Sequence, residues 1–276
     1  MGKALILKVS LSALSAFIFF SALIWGSSFG GNNFSKSQGD EMIITTLFDN
    51  YQWQSNLKTG WGFSALIQIG DKSIIFDTGA DGSILLENID KLGLKPQEVD
   101  ALLLSHNHGD HTGGLEQFLS KWGAKKVYIP QSFASRFEKI VEQYAKLVEV
   151  EEAMEIIPSV FTTGEMGTFI IEQSMVMETG KGLVIVTGCA HPGIVKIVRR
   201  AKELRQKEVY LVIGGFHLGG KSDREMADII KAFRSLGVKK VSPSHCTGSH
   251  QIELFKEEYG DSFIRNGVGK KIIIEE

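Results

Sequence analysis

From residue 42 onward, short apolar runs alternate with turn-forming residues, and the period of each run predicts its element. Met42 to Leu47, Gly62 to Ile69 and Ser73 to Phe76 read as strands joined by Gly-Asp and Asn-containing turns, as in consecutive hairpins. Gly82 to Leu92 carries Leu85, Leu86, Ile89 and Leu92 at helical spacing and stops at Gly93. Val99 to Leu104, apolar apart from Asp100, predicts a strand buried on both faces. A helix over Gly114 to Trp122 and a strand over Lys126 to Ile129 follow. Ser132 to Pro158 has a helical period through Phe133, Phe137, Ile140, Tyr144 and Leu147, with a dense acidic face that reads as solvated. Strands resume at Thr168 to Ile171, Ser174 to Glu178 and Leu183 to Val186. Helices over Gly193 to Leu204, Asp223 to Leu236 and Ser249 to Tyr259 then alternate with strands over Val209 to Ile213 and Lys240 to Ser242. Two halves, each passing from β to βα, suit two sheets packed face to face with helices outside. The predicted fold is therefore α/β, a four-layer αββα sandwich over residues 41 to 276.

Residues 1 to 40 break this pattern. Lys3 and Lys8 come first, then an apolar run from Val9 to Trp25 interrupted only by serines, then a small and polar stretch from Gly26 to Asp40. That is the layout of a secretory signal peptide or a membrane anchor. The run approaches the roughly 18–20 apolar residues that span a bilayer. No Ala-x-Ala cleavage site and no cysteine for lipid attachment follow, so cleaved and anchored forms both stay open. A buried first helix is the third alternative, although such a helix would ordinarily show a polar face. The expectation is an exported or membrane-anchored, extracytoplasmic protein, meeting the membrane through residues 9–25 if the segment is retained.

Charge narrows the partners. The 30 Lys and Arg nearly balance the 32 Asp and Glu, and no basic stripe stands out. Electrostatics therefore imply no nucleic-acid partner, and a small-molecule substrate is expected instead. Oligomeric state is not legible.

Chemistry concentrates just past the Val99 to Leu104 strand. His106, His108, Asp110 and His111 place four metal-capable side chains within six residues. Imidazoles with a carboxylate are ligands that zinc accepts. Gly109 lets the chain fold tightly between them, and Gly113-Gly114 lets it leave close by and enter a helix. His106 and His108 alternate by two and so point the same way from an extended turn, which leaves Asp110 and His111 to face a second site. A polar loop that holds three of the chain's seven histidines by chance is the weaker alternative. His191, His217 and His245 also follow predicted strands, where loop residues project into sites of layered α/β folds. His217, set between Gly214-Gly215 and Gly219-Gly220, is either a ligand or a substrate contact, whereas His250 at a helix start reads as surface. Cys189 lies two residues before His191, and Cys246 directly follows His245. Both thiols are thus placed at the site, or they form a disulfide if the two strand ends adjoin.

The His-x-His-x-Asp-His pattern at 106–111, preceded by a strand and followed by Gly-Gly, resembles the metallo-β-lactamase superfamily of metal-dependent hydrolases. Ile74 to Gly79 with its Asp-Thr-Gly, Gly182 to His191 and Pro243 to Cys246 extend the likeness over roughly residues 42 to 274. Within that superfamily, Thr-Gly-Cys-Ala-His and Ser-His-Cys-Thr-Gly look like the dihydropterin ribofuranosylaminobenzene-phosphate synthase-like branch. The resemblance implies two divalent metals, zinc with manganese or iron as alternatives. One would be bound by His106, His108 and His191, the other by Asp110, His111 and His245. Asp77 would hold a metal-bound imidazole in one tautomer. Cys189 stands where many relatives have a bridging aspartate; a thiolate either keeps that coordination or marks a site with one tight metal. His217 is a further candidate ligand. The resemblance also makes the 132–158 segment a candidate lid or wall.

The implied function is metal-dependent hydrolysis of an ester, lactone or phosphate-type substrate. The two cations would share a water and lower its pKa from about 15.7 towards about 7, giving a metal-bound hydroxide. Asp110 would ligate and orient that nucleophile, and the second metal would stabilise the developing oxyanion. Two alternatives stay open: an iron-dependent redox enzyme on the same donors, and a non-catalytic metal- or pterin-binding module.

Overall fold

The computed structural model describes residues 41–96 and 99–275. The leader predicted over residues 1–40, with its membrane segment at 9–25, lies outside the described residues. Among the described residues, no helix is long and apolar enough to cross a membrane.

The first sheet opens with β1 (Met42–Phe48), β2 (Ser64–Ile69) and β3 (Lys72–Phe76), paired antiparallel, and continues in parallel through β4 (Ala101–Leu103), β5 (Lys126–Pro130) and β6 (Lys146–Val150). The second runs antiparallel through β7 (Met154–Ile157), β8 (Val160–Thr162), β9 (Met175–Thr179) and β10 (Gly182–Thr187), then parallel through β11 (Val209–Gly215) and β12 (Lys240–Ser244). β13 (Lys271–Ile274) returns to the first sheet and pairs antiparallel with β1. The helices are α1 (Gly82–Lys91), α2 (Gly109–Thr112), α3 (Leu115–Trp122), α4 (Ala134–Val141), α5 (Ile194–Arg205), α6 (Asp223–Ser235) and α7 (Ser249–Tyr259).

Side-chain alternation along the strands builds the layers, since successive residues point to opposite faces. Ile74 and Phe76 of β3 join Val184 and Val186 of β10 in the core between the sheets. Ile75 turns the other way, onto Leu85 and Ile89 of α1 and Phe118 of α3. Leu183 and Ile185 of β10 turn onto Ile197 and Val198 of α5 and Phe233 of α6. Both faces of these strands are thus covered, which is why their sequences are apolar throughout. Each such side chain contributes about 1.5–3 kcal/mol on burial.

The parallel strands of both sheets deliver their carboxyl ends to one rim, the place where open α/β sheets bind ligands. Asp77 follows β3 and the His106–His111 loop follows β4. Cys189, His217 and His245 follow β10, β11 and β12.

Two predicted elements differ. The 132–158 segment is helical only over α4; its second half forms β6 and β7, carrying the chain from one sheet to the other. Lys-Leu-Val-Glu-Val lies at the edge of the first sheet, where charge on the strand guards the open edge. The segment's first residues, Ser132 and Phe133, line a cavity beside His108, as the wall alternative expects. The strand expected at Thr168 to Ile171 is instead the tip of a loop closed by the bridge between Met166 and Glu172. Its apolar residues mimic a buried strand, yet Phe169 is fully exposed. Strands β8 and β13 went unpredicted because both are short; β8 pairs with its neighbour β7 in a tight hairpin, whereas β13 takes its pairing from the distant β1.

Candidate metal centre

His108 caps the N-terminus of α2, so the extended chain before it and the first helical turn after it aim their side chains differently. His106 Nε2 stands 3.1 Å from His108 Nδ1. The His191 ring lies 4.8 Å from that of His106 and 4.9 Å from that of His108. These three residues offer donor atoms all within 4.8 Å of one another. A second group joins Asp110, His111, Cys189 and His245 with the same closeness. His111 Nε2 is 3.2 Å from His245 Nε2 and 3.3 Å from Cys189 Sγ, and Asp110 Oδ2 is 3.3 Å from His245 Nε2.

Both groups fit a divalent cation. Metal–nitrogen bonds of about 2.0–2.1 Å in a tetrahedron set neighbouring donors roughly 3.3 Å apart, close to the separations here. His191 Nε2 is buried and has no hydrogen-bond partner, an expensive state for a ring nitrogen unless something binds it. The residues sequence places in each group are thus brought together, with Cys189 added to the second.

The imidazoles are held from behind. His111 Nδ1 donates to Asp77 Oδ2 at 2.7 Å, and His245 Nδ1 donates to Asn50 Oδ1 at 3.0 Å. Ser105 Oγ donates to Asp77 Oδ2 at 2.7 Å, which leaves its lone pair to accept from His106 Nδ1 at 2.9 Å. Each Nε2 is thereby left as a free lone pair, the usual arrangement behind metal-binding histidines. Burial, then the neighbouring His111 and His191, drive His106 far below the ordinary imidazole range. Burial, then His217 and His108, lower His191 to about 4. Burial opposes protonation of His111, but the Asp77 carboxylate outweighs it and raises that pKa. Burial would raise Asp110; the hydrogen bond to His245 and the charges of His111 and His245 win and lower it to about 2.

Two contributors escaped sequence reasoning. Glu172, only 1% exposed, accepts backbone N–H bonds from Cys189 (3.0 Å), Ala190 (2.8 Å) and His191 (2.8 Å). It thus fixes the loop that carries two donors, with Ala190 at a left-handed φ of 63°. Burial raises Glu172 to about 7 against the pull of the Ala190 and His191 amides. The one available signal was a lone acid following Phe169-Ile170-Ile171. Asn50, at the end of β1, carried no signal at all. Between the halves, Gly188 allows a close approach: a Cβ there would sit 2.2 Å from Ser105 Oγ.

The His217 ring lies tilted with its centroid 4.4 Å from that of His191, and it belongs to neither donor group. Cys189 and Cys246 are free thiols, so the disulfide alternative does not hold. His250 makes an exposed 2.6 Å ion pair with Asp223.

Comparisons with known proteins agree with this geometry. A model of the metallo-beta-lactamase superfamily matches residues 60–254. The 7,8-dihydropterin-6-methyl-4-(beta-D-ribofuranosyl)-aminobenzene-5'-phosphate synthase of Methanocaldococcus jannaschii is 32% identical, over 84% of this chain and 97% of that protein. The crystal structure of Tm1679, a metal-dependent hydrolase of the beta-lactamase superfamily, matches with a TM-score of 0.72 and 30% identity, covering 85% of this chain and 100% of that one. The metallo-beta-lactamase fold protein YhfI from Bacillus subtilis shares the fold, with a TM-score of 0.62 at 15% identity over 85% of this chain and 99% of that one.

Proposed function

The chain belongs to the metallo-beta-lactamase superfamily, and on that premise we propose that it is a two-cation hydrolase acting on a phosphate-type ester. The observation that carries this reading is the pair of adjoining donor groups, one of three histidines and one of Asp110, His111, Cys189 and His245. When bound, the cations supply Lewis-acid charge, polarising the group attacked and acidifying water.

The chain's own residues supply the rest. In the second group His111 and His245 are fully buried, while the Asp110 side chain is 20% exposed. Asp110 is therefore the donor that incoming water meets, and its ionised carboxylate orients that water by accepting a hydrogen bond from it. Asp77, Ser105 and Asn50 keep the imidazoles from turning as charge moves.

Two cavities of about 320 and 410 Å³ flank the centre, and Phe169 and Ile170 line both. The first reaches His108, Phe133 and Asn107; the second reaches His191, His217 and Lys196. The exposed Phe169 ring offers a face to a flat apolar group, and Lys196 a charge to an anion. A substrate with both features fits this rim. Group transfer in place of hydrolysis is the second reading, favoured by the relative named as a synthase of a pterin-derived phosphate.

The test uses protein reloaded with zinc or manganese, offered phosphomonoesters, phosphodiesters, lactones and carboxylic esters in 18O-labelled water. Label in the product from a phosphate ester supports hydrolysis; a product without label supports transfer. Asp110→Ala should lower turnover about a thousand-fold. Undiminished turnover in that variant would overturn the reading.

A further inference from the structure

The C-terminal ends of β10, β11 and β12 hold a third cluster that the two donor groups leave unexplained. These strands are parallel neighbours, with Thr187 opposite Gly214 and Gly215 opposite Ser244. Cys189, His217 and Cys246 each lie two residues past the end of their own strand. The turns that follow the three strands bring these side chains together. Their donor atoms all lie within 4.8 Å of one another, and both sulfurs are free thiols.

Two local features keep this convergence. His217 has a φ of 50°, in the left-handed region that non-glycine residues seldom occupy and that costs on the order of 1–3 kcal/mol. Strain of that kind persists only where the surrounding structure enforces it, and here it turns the imidazole towards the two sulfurs. Gly215 makes the room: a Cβ there would stand 2.8 Å from Cys246 Sγ and 2.3 Å from the Gly188 carbonyl oxygen. Any other residue at 215 would displace the thiol.

We propose that Cys189, His217 and Cys246 form a third cation site, with Cys189 Sγ bridging to the group of Asp110, His111 and His245. Two sulfurs and an imidazole select zinc or copper(I) over magnesium, manganese or calcium. Three protein donors leave a fourth position open, and exposed His217 lies on the cavity it shares with His191 and Lys196. Loading deprotonates both thiols and releases their protons to solvent, with no change of oxidation state. A thiolate at 189 serves both groups, where a carboxylate would serve only the harder one. The site does not depend on the reaction proposed above; only the bridging rests on that ligand set.

The test is metal counting on the full chain, stripped and reloaded with zinc under reducing conditions, beside cobalt(II) loading to read sulfur-to-cobalt charge transfer. Cys246→Ser and His217→Ala should each hold one zinc equivalent fewer than wild type, and the sulfur–cobalt band should weaken in Cys246→Ser. His217 is exposed, so its variant keeps the test open should Cys246→Ser fold poorly. His108→Ala should lose a cation yet keep the Cys246-dependent band, which separates this site from the three-histidine group. Equal zinc content in wild type, Cys246→Ser and His217→Ala, with an unchanged band, would overturn the proposal.

Discussion

Two buried carboxylates organise the two halves of the centre, and they do so differently. Asp77, at the end of β3, accepts from the Ser105 backbone at 2.7 Å, from Ser105 Oγ and from His111 Nδ1. It touches a donor imidazole directly and reaches His106 through one hydroxyl. Glu172 touches only backbone N–H groups, those of Cys189, Ala190 and His191. One carboxylate sets the tautomers of rings within a contiguous motif; the other shapes a loop, and the donors follow. Side-chain partners leave a recognisable sequence pattern, whereas a carboxylate that binds only backbone leaves none, because any residues can supply those amides.

The contrast can be broken most sharply at Asp77. Asp77→Ala removes the acceptor shared by His111 and Ser105, so cation affinity should fall about a hundred-fold in both donor groups. Chelator competition checks this; a loss confined to the His111 group would show that Ser105 holds His106 without Asp77. Glu172→Ala comes next, leaving three amide donors unpaired in a buried place. Stability should drop by about 1–3 kcal/mol in denaturant titration, with a ten-fold or larger loss of cation affinity. Glu172→Gln keeps one carbonyl acceptor and should recover part of both. Equal damage from Ala and Gln would mean that charge, and not loop geometry, is what Glu172 supplies. The smallest effect belongs to Asn50→Ala, which frees the His245 ring and the His245 carbonyl: about ten-fold in affinity for the second group, with the three-histidine group unchanged. An equal loss in both groups would show that the halves are not organised separately.

The local half of the site was legible because its information is local. His106, His108, Asp110 and His111 sit within one turn and its flanks, and the alternation of two set their directions in the structure as in the sequence. Strands such as β3 and β10 were equally plain, being apolar on both faces for a reason visible in the layers. The 146–157 stretch was misread because an edge strand carrying charge looks like a solvated helix when only the apolar spacing is counted. Thr168 to Ile171 was misread for the opposite reason: Phe169 is apolar but sits at an exposed loop tip beside two cavities.

Sequence alone determined the two-sheet layering, the loop of four donors after β4 and the presence of further histidines and thiols past later strands. Those features follow from periodicity and from residue chemistry over a few positions. Tertiary structure alone decided that Cys189 joins the second group, that Glu172 and Asn50 serve the donors, and that Cys189, His217 and Cys246 meet. The reason is register. Thr187 faces Gly214 and Gly215 faces Ser244 through backbone hydrogen bonds that carry no side-chain signature, and Gly188 admits Ser105 only when both sheets are packed.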